Sequence, residues 1–130
     1  MEKKEILVVD DDIITLNMLK SAMAGAGYEV LQATTGREAV RMSKEHPPFL
    51  IVLDIMLPDL DGGEVANLLK ADPKTKDIPI IFISSLISEK EEKTGARKDL
   101  TSFISKPYNR EKLLNEVRKY VYRGNPPESV

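Results

Sequence analysis

The sequence predicts a doubly wound α/β domain. Five short apolar runs alternate with segments of helical period, and most of the runs are nearly continuous in Ile, Leu and Val. Continuous runs of this kind suit parallel strands covered on both faces. Strict alternation of strand and helix implies right-handed crossovers, with helices on both sides of one parallel sheet. The expected architecture is therefore (βα)5.

Each element has its own signal. The first strand is expected at Ile6–Val9, before a helix that begins near Asp12 and carries Leu16, Leu19 and Met23 on one face. The second strand, Glu29–Ala33, is less apolar. Thr35 and Glu38 then have the spacing of a capping box ahead of Ala39, Val40 and Met42. Phe49–Leu53 is the third strand, and Asp61 with Glu64 repeats the box ahead of Val65, Leu68 and Leu69. Ile78–Ile83 is the fourth strand. Ser88 and Glu91 give the box a third time, opening the segment SEKEEKTGARKDL. That segment offers only Ala96 and Leu100 as anchors, and Gly95 costs about 1 kcal/mol relative to alanine inside a helix. It is expected to be the most weakly held helix. Phe103–Ser105 is the fifth strand, and Asn109 caps a last helix with Leu113, Leu114, Val117, Tyr120 and Val121 inward.

Residues 1–123 are expected to form one domain, and 124–130, GNPPESV, a flexible tail or the start of a linker. The 130 residues are 42% hydrophobic and 31% charged, as in soluble globular proteins. A net charge of −2 recommends neither nucleic acid nor an anionic membrane as a direct partner. With no cysteine, disulfides, thiolate metal sites and cysteine nucleophiles are excluded, and a reducing cytoplasm suits the chain. The opening run ILVV is far too short for a signal-peptide core or a membrane span.

The chemistry gathers at the strand ends. In a doubly wound sheet, ligands bind beyond the carboxyl ends of the strands, where the strand order reverses. ILVVDDD ends the first strand in Asp10, Asp11 and Asp12, and LIVLD ends the third in Asp54. If those strands are neighbours, at least three carboxylates converge and repel one another. A divalent cation relieves that repulsion. Oxygen-only ligands favour Mg²⁺, with Mn²⁺ possible, over zinc. IIFISS brings the hydroxyls of Ser84 and Ser85, and FISKPY brings Lys106 before Pro107. Acids, a metal, a hydroxyl and a lysine around one more carboxylate are what phosphoryl transfer to that carboxylate needs.

ILVVDDD, IVLDIMLPDLDG, the Ser84 strand end and SKPY, taken together and in this order, resemble the receiver domain of two-component response regulators. The resemblance covers Glu5 to about Arg123 and implies the flavodoxin-like strand order 2-1-3-4-5. It implies Asp54 as phosphoacceptor, with Asp11 and Asp54 binding Mg²⁺ directly, Asp10 through water and Met56 through its backbone carbonyl. Lys106 would contact the phosphoryl group, Ser84 would be the switch hydroxyl, and Phe103 the aromatic that changes rotamer. A cis peptide before Pro107 belongs to the same pattern. The implied function is a phosphorylation-controlled switch without independent turnover, charged by a histidine kinase or phosphotransfer protein. Its readout would be the face made by Ser88–Leu100, the last strand and the last helix, turned toward an output domain or a second copy.

Blander roles stand beside these. Asp12 suits a helix N-cap, Phe103 a plain core aromatic, and His46 a cap at a helix C-terminus. Two other readings of the acidic cluster are an aspartate-nucleophile phosphatase and a constitutive receiver-like interaction module. The phosphatase would need an acid two residues after Asp54, where Met56 stands. The loop KDLTS is less Gly/Ala-rich than the pattern leads one to expect, which bears on the output face. The resemblance implies that the positions two residues after Asp54 and two after Ser84, which hold Met56 and Leu86, tune dephosphorylation. Neither side chain bonds well to an attacking water, so a long-lived phosphoaspartate is expected.

Overall fold

The apolar runs do form strands, and every pairing is parallel. The computed structural model describes residues 4–84, 101–106 and 109–121. Its elements are β1 (Glu5–Val9), α1 (Ile13–Gly25), β2 (Glu29–Ala33), α2 (Gly36–Glu45), β3 (Leu50–Asp54), α3 (Gly62–Lys70), β4 (Ile80–Ser84), β5 (Thr101–Ser105) and α4 (Arg110–Val121). The sheet order is β2-β1-β3-β4-β5, the doubly wound order expected. The expected helix Ser88–Leu100, Ser85, Leu86, the bond before Pro107 and the tail 124–130 lie outside the described residues.

Burial follows the sequence pattern closely. Ile6–Val9 and Leu50–Leu53 are fully buried, because β1 and β3 occupy the middle of the sheet with helices on both faces. β2 lies at an edge, which is why its run is less apolar and Glu29 is exposed. Ile6, Val8, Val52, Ile83 and Ile104 face α1 and α4, meeting Leu16, Leu19, Met23, Leu113 and Val117. Leu7, Val9, Leu53 and Phe82 face the other way, onto Ala39, Val65 and Leu69. Each buried Val, Leu, Ile, Met or Phe among them contributes about 1.5–3 kcal/mol. An exposed pair such as Arg41–Glu45, at 3.0 Å, contributes well under that, so packing holds the fold.

Several boundaries shift. β3 runs one residue later than expected and takes in Asp54 itself. β4 begins at Ile80 instead of Ile78, because the Ile78 N–H bonds to the Thr75 carbonyl in a turn and Pro79 has no N–H for the ladder. Asp61 and Glu64 form the full capping box. Thr35 caps α2, but Glu38 reaches back to the Thr34 N–H at 2.9 Å, one residue earlier than the box requires. Leu68 is 45% exposed, since the inward stripe of α3 runs through Val65 and Leu69. Asp12 and Asn109 cap their helices as expected, and His46 holds the C-cap position of α2.

Candidate functional site

Strand register brings the acids together. Val9 pairs with Leu53, so the next residues, Asp10 and Asp54, leave the sheet side by side. Asp54 pairs with Ile83 and Ile83 with Ile104, which places Ser84 one residue above that level and Lys106 two. Side chains alternate along a strand. Asp10, Asp54 and Lys106 therefore continue the rows of Val8, Val52 and Ile104 on the α1 face, whereas Ser84 continues the row of Phe82. This parity was readable in the sequence once the register was known.

The cluster is tight. One carboxylate oxygen from each of Asp10, Asp11 and Asp54 lies within 4.8 Å of the others. Asp10 and Asp54 are buried, and Asp11 is exposed at the rim. The Lys106 ammonium lies 3.2 Å from Asp10 Oδ2 and 3.5 Å from Asp54 Oδ2. Asp10 Oδ1 accepts from the Asp12 N–H at 2.9 Å, and Asp54 Oδ1 from the Met56 N–H at 3.2 Å. Lys106 is fixed by its own backbone, whose N–H donates to the Ser84 carbonyl at 3.0 Å.

The charges do not balance. Burial raises the pKa of Asp54 and the neighbouring Asp10 raises it further, against the opposing pull of the Met56 N–H and Lys106. Burial works against the Lys106 ammonium, yet Asp10 and Asp54 outweigh it and hold its pKa above the ordinary value. Among the described residues, three carboxylates face one ammonium and form an oxygen-only donor set with excess negative charge. Such a set fits Mg²⁺ or Mn²⁺ and lacks the nitrogen and sulfur donors that zinc favours.

The remaining predicted residues divide. Ser84 ends β4 and is buried; Met56, two residues after Asp54, has its backbone N–H at the carboxylate and is 57% exposed. Phe103 packs on the opposite face of the sheet from Ile104. It pairs in register with Phe82 and stacks on it, with ring centroids 5.3 Å apart and planes at 20°. Asp59 went unrecognised, because in LPDLDG it reads as a turn residue. In the structure its carboxylate leaves the loop and bonds to α2.

A family model described as the response regulator receiver domain matches residues 6–118. The chain belongs to that family. Receiver domains are regulatory modules of two-component signalling. This receiver domain is 35% identical over 127 residues to "Probable transcriptional regulator ycf27" of Cyanophora paradoxa, covering 98% of this chain and 52% of that protein. It thus spans about half the length of the first curated relatives it matches. It is 28% identical to the polar-differentiation response regulator DivK of Brucella ovis, covering 91% of this chain and 96% of that one. Among solved structures it resembles the chemotaxis response regulator CheY4 of Vibrio cholerae, with 28% identity, a TM-score of 0.79, and 92% and 99% of the two chains covered. The receiver domain of the sensor histidine kinase PA1611 from Pseudomonas aeruginosa shares the fold at 24% identity and a TM-score of 0.79, covering 92% and 98% of the chains. That structure has a magnesium ion coordinated in its active site cleft. No helix of the described residues is long and apolar enough to cross a membrane.

Proposed function

We propose that this receiver domain is a cytoplasmic switch whose Asp54 accepts a phosphoryl group from a histidine kinase or a phosphotransfer protein. The observation that carries the reading is the convergence of Asp10, Asp11 and Asp54 within 4.8 Å, with Lys106 set against two of them. Asp11 and Asp54 would hold Mg²⁺ directly, Asp10 through water, and Met56 would offer its backbone carbonyl. When bound, the ion neutralises charge on the phosphoryl oxygens.

The chain's own groups do the rest. β3 is buried at every residue, so it presents the Asp54 oxygen from a rigid support. That oxygen forms a bond to phosphorus as the bond to the donor's histidine nitrogen breaks, leaving an acyl phosphate on Asp54 and the electron pair on the imidazole. Lys106 exchanges its pairing with Asp54 for the phosphoryl oxygens and keeps its contact with Asp10. The Ser84 hydroxyl turns toward the phosphoryl group, and Phe103 follows. This biases a two-state face around β5 and α4 toward its output domain or second copy. No separate turnover is expected.

Intact mass after incubation with acetyl phosphate and Mg²⁺ tests the reading. One added phosphoryl group is expected on the wild type, and none on Asp54→Asn or in EDTA. A wild type that stays unlabelled would overturn it. The shift itself is tested by hydrogen exchange with and without a phosphoryl mimic, where unchanged protection across β5 and α4 would count against a switch.

A further inference from the structure

The loop from Ile55 to Asp61, which joins Asp54 to α3, is tied at three points. At its base the Gly62 N–H donates to the Ile55 carbonyl at 2.7 Å. The approach there is close enough that a Cβ on Gly62 would stand 2.9 Å from Ile55 Cα and 3.3 Å from the Asp54 carbonyl. At its start the Met56 N–H reaches the Asp54 carboxylate. At its far side Asp59 grips a different element. Its Oδ1 accepts from the Gly36 N–H at 2.8 Å and its Oδ2 from the Arg37 N–H at 2.9 Å.

This clasp is specific in shape. The first N–H groups of a helix have no partner within it. Thr35 takes the Glu38 N–H, and Asp59 takes the two that precede it, so three donors at the start of α2 are satisfied by side chains. The packing matches: a Cβ on Gly36 would stand 2.9 Å from Leu60 Cβ and from Val65 Cγ2. The loop and α2 touch without a gap. The Arg37 side chain adds little, being 80% exposed and 3.8 Å from the carboxylate. The backbone N–H of Arg37, with that of Gly36, holds the Asp59 carboxyl below the usual range.

We propose that Asp59 is a positioning residue for the Asp54 site: by clasping the first turn of α2 it fixes the loop that presents the Met56 backbone to the Asp54 carboxylate, and so sets affinity for the divalent cation. The proposal rests on the reading of Asp10, Asp11 and Asp54 as a Mg²⁺ site. Asp59 touches neither ion nor phosphoryl group; it acts through the loop, as groups that orient metal ligands do.

The test is a Mg²⁺ titration of the wild type, Asp59→Asn and Asp59→Ala, by calorimetry and by the amide resonances, with thermal melting of each. Asp59→Ala is expected to weaken Mg²⁺ roughly tenfold and to move the Met56 amide resonance in metal-free buffer. Asp59→Asn keeps one oxygen for one N–H and should fall between. It decides the matter if the alanine variant does not fold. Unchanged Mg²⁺ affinity and an unmoved Met56 amide, with only a lower melting point, would show that the clasp merely holds α2 and would overturn the proposal. A wild type that binds no Mg²⁺ would overturn the metal-site reading along with it.

Discussion

Lys106 and Asp10 meet at 3.2 Å although they are 96 residues apart and β3 and β4 separate their strands. The contact spans the switch point of the sheet, and it is the cation's shortest link to the acidic cluster. Asp54, the nearer neighbour in the sheet, is 3.5 Å away.

Replacing Lys106 with methionine should therefore strand two buried carboxylates. Removing one partner of a fully buried pair costs 3–5 kcal/mol, and the 26% exposure of the lysine side chain reduces that to about 1–3 kcal/mol. Urea denaturation in EDTA should show the loss. Millimolar Mg²⁺ should recover part of it, because a cation then faces the same oxygens.

The pKa directions give a signed pH dependence. Asp54 has a raised pKa, so the folded chain holds its proton more tightly than the unfolded chain. Stability from this group falls as pH rises through that window. Asp54→Asn should thus melt higher than the wild type at neutral pH without metal, and the advantage should shrink as acid protonates Asp54. Asp72 runs the other way. The Lys74 N–H, and after it Lys44, depress its pKa, so its contribution is present above the ordinary carboxylate range and is lost as pH falls. Melting curves of Asp54→Asn and Asp72→Asn against pH should have slopes of opposite sign relative to the wild type.

These acids show how much the sequence could say. Asp10, Asp11, Asp54 and Lys106 were legible, because each ends an apolar run and parallel strands present their ends at one side of the sheet. The central burial of β1 and β3 was legible from continuous runs of Ile, Leu and Val, whereas the strand order came only from the family resemblance, because apolar runs do not say which strand lies beside which. Asp59 was not. Its partners are backbone N–H groups of a helix 22 and 23 residues earlier, and backbone donors leave no mark in a sequence. The exposure of Leu68 was hidden for a related reason: helical spacing sets neighbours along a stripe, while the partner helix decides how wide the stripe is.

Ser43 is a small test of core satisfaction. Its hydroxyl is fully buried on α2 and has no hydrogen-bond partner among the described residues. An unsatisfied buried hydroxyl costs about 1–3 kcal/mol. Ser43→Ala should be neutral or stabilising by up to about 1 kcal/mol, read as a higher urea midpoint at unchanged slope.

Gly36 tests the tight seam between α2 and the loop. Alanine elsewhere in a helix gains about 1 kcal/mol over glycine. Here its Cβ would stand 2.9 Å from Leu60 and Val65 side-chain carbons, and overpacking of that kind costs about 1–3 kcal/mol. Gly36→Ala should lower the melting temperature.

The lifetime of the proposed phosphoaspartate follows from Met56. Its exposed thioether is a weak acceptor and cannot orient a water for attack. Loss of phosphate, followed by mass after acetyl phosphate is removed, should be slow in the wild type and several-fold faster in Met56→Asn. Loss within seconds from the wild type would contradict this.

The strand order also has a consequence for synthesis. A ribosome releases β1 and β3 long before β5, so Asp10 and Asp54 are available to pair up while Lys106 is still unmade. A nascent chain that closed its first half early would press two like charges together in a dry place before the chain's own ammonium exists to face them. Lateness of the lysine thus works against premature closure. The cation that steadies the finished site also favours folding the sheet as a whole, after the last strand has emerged.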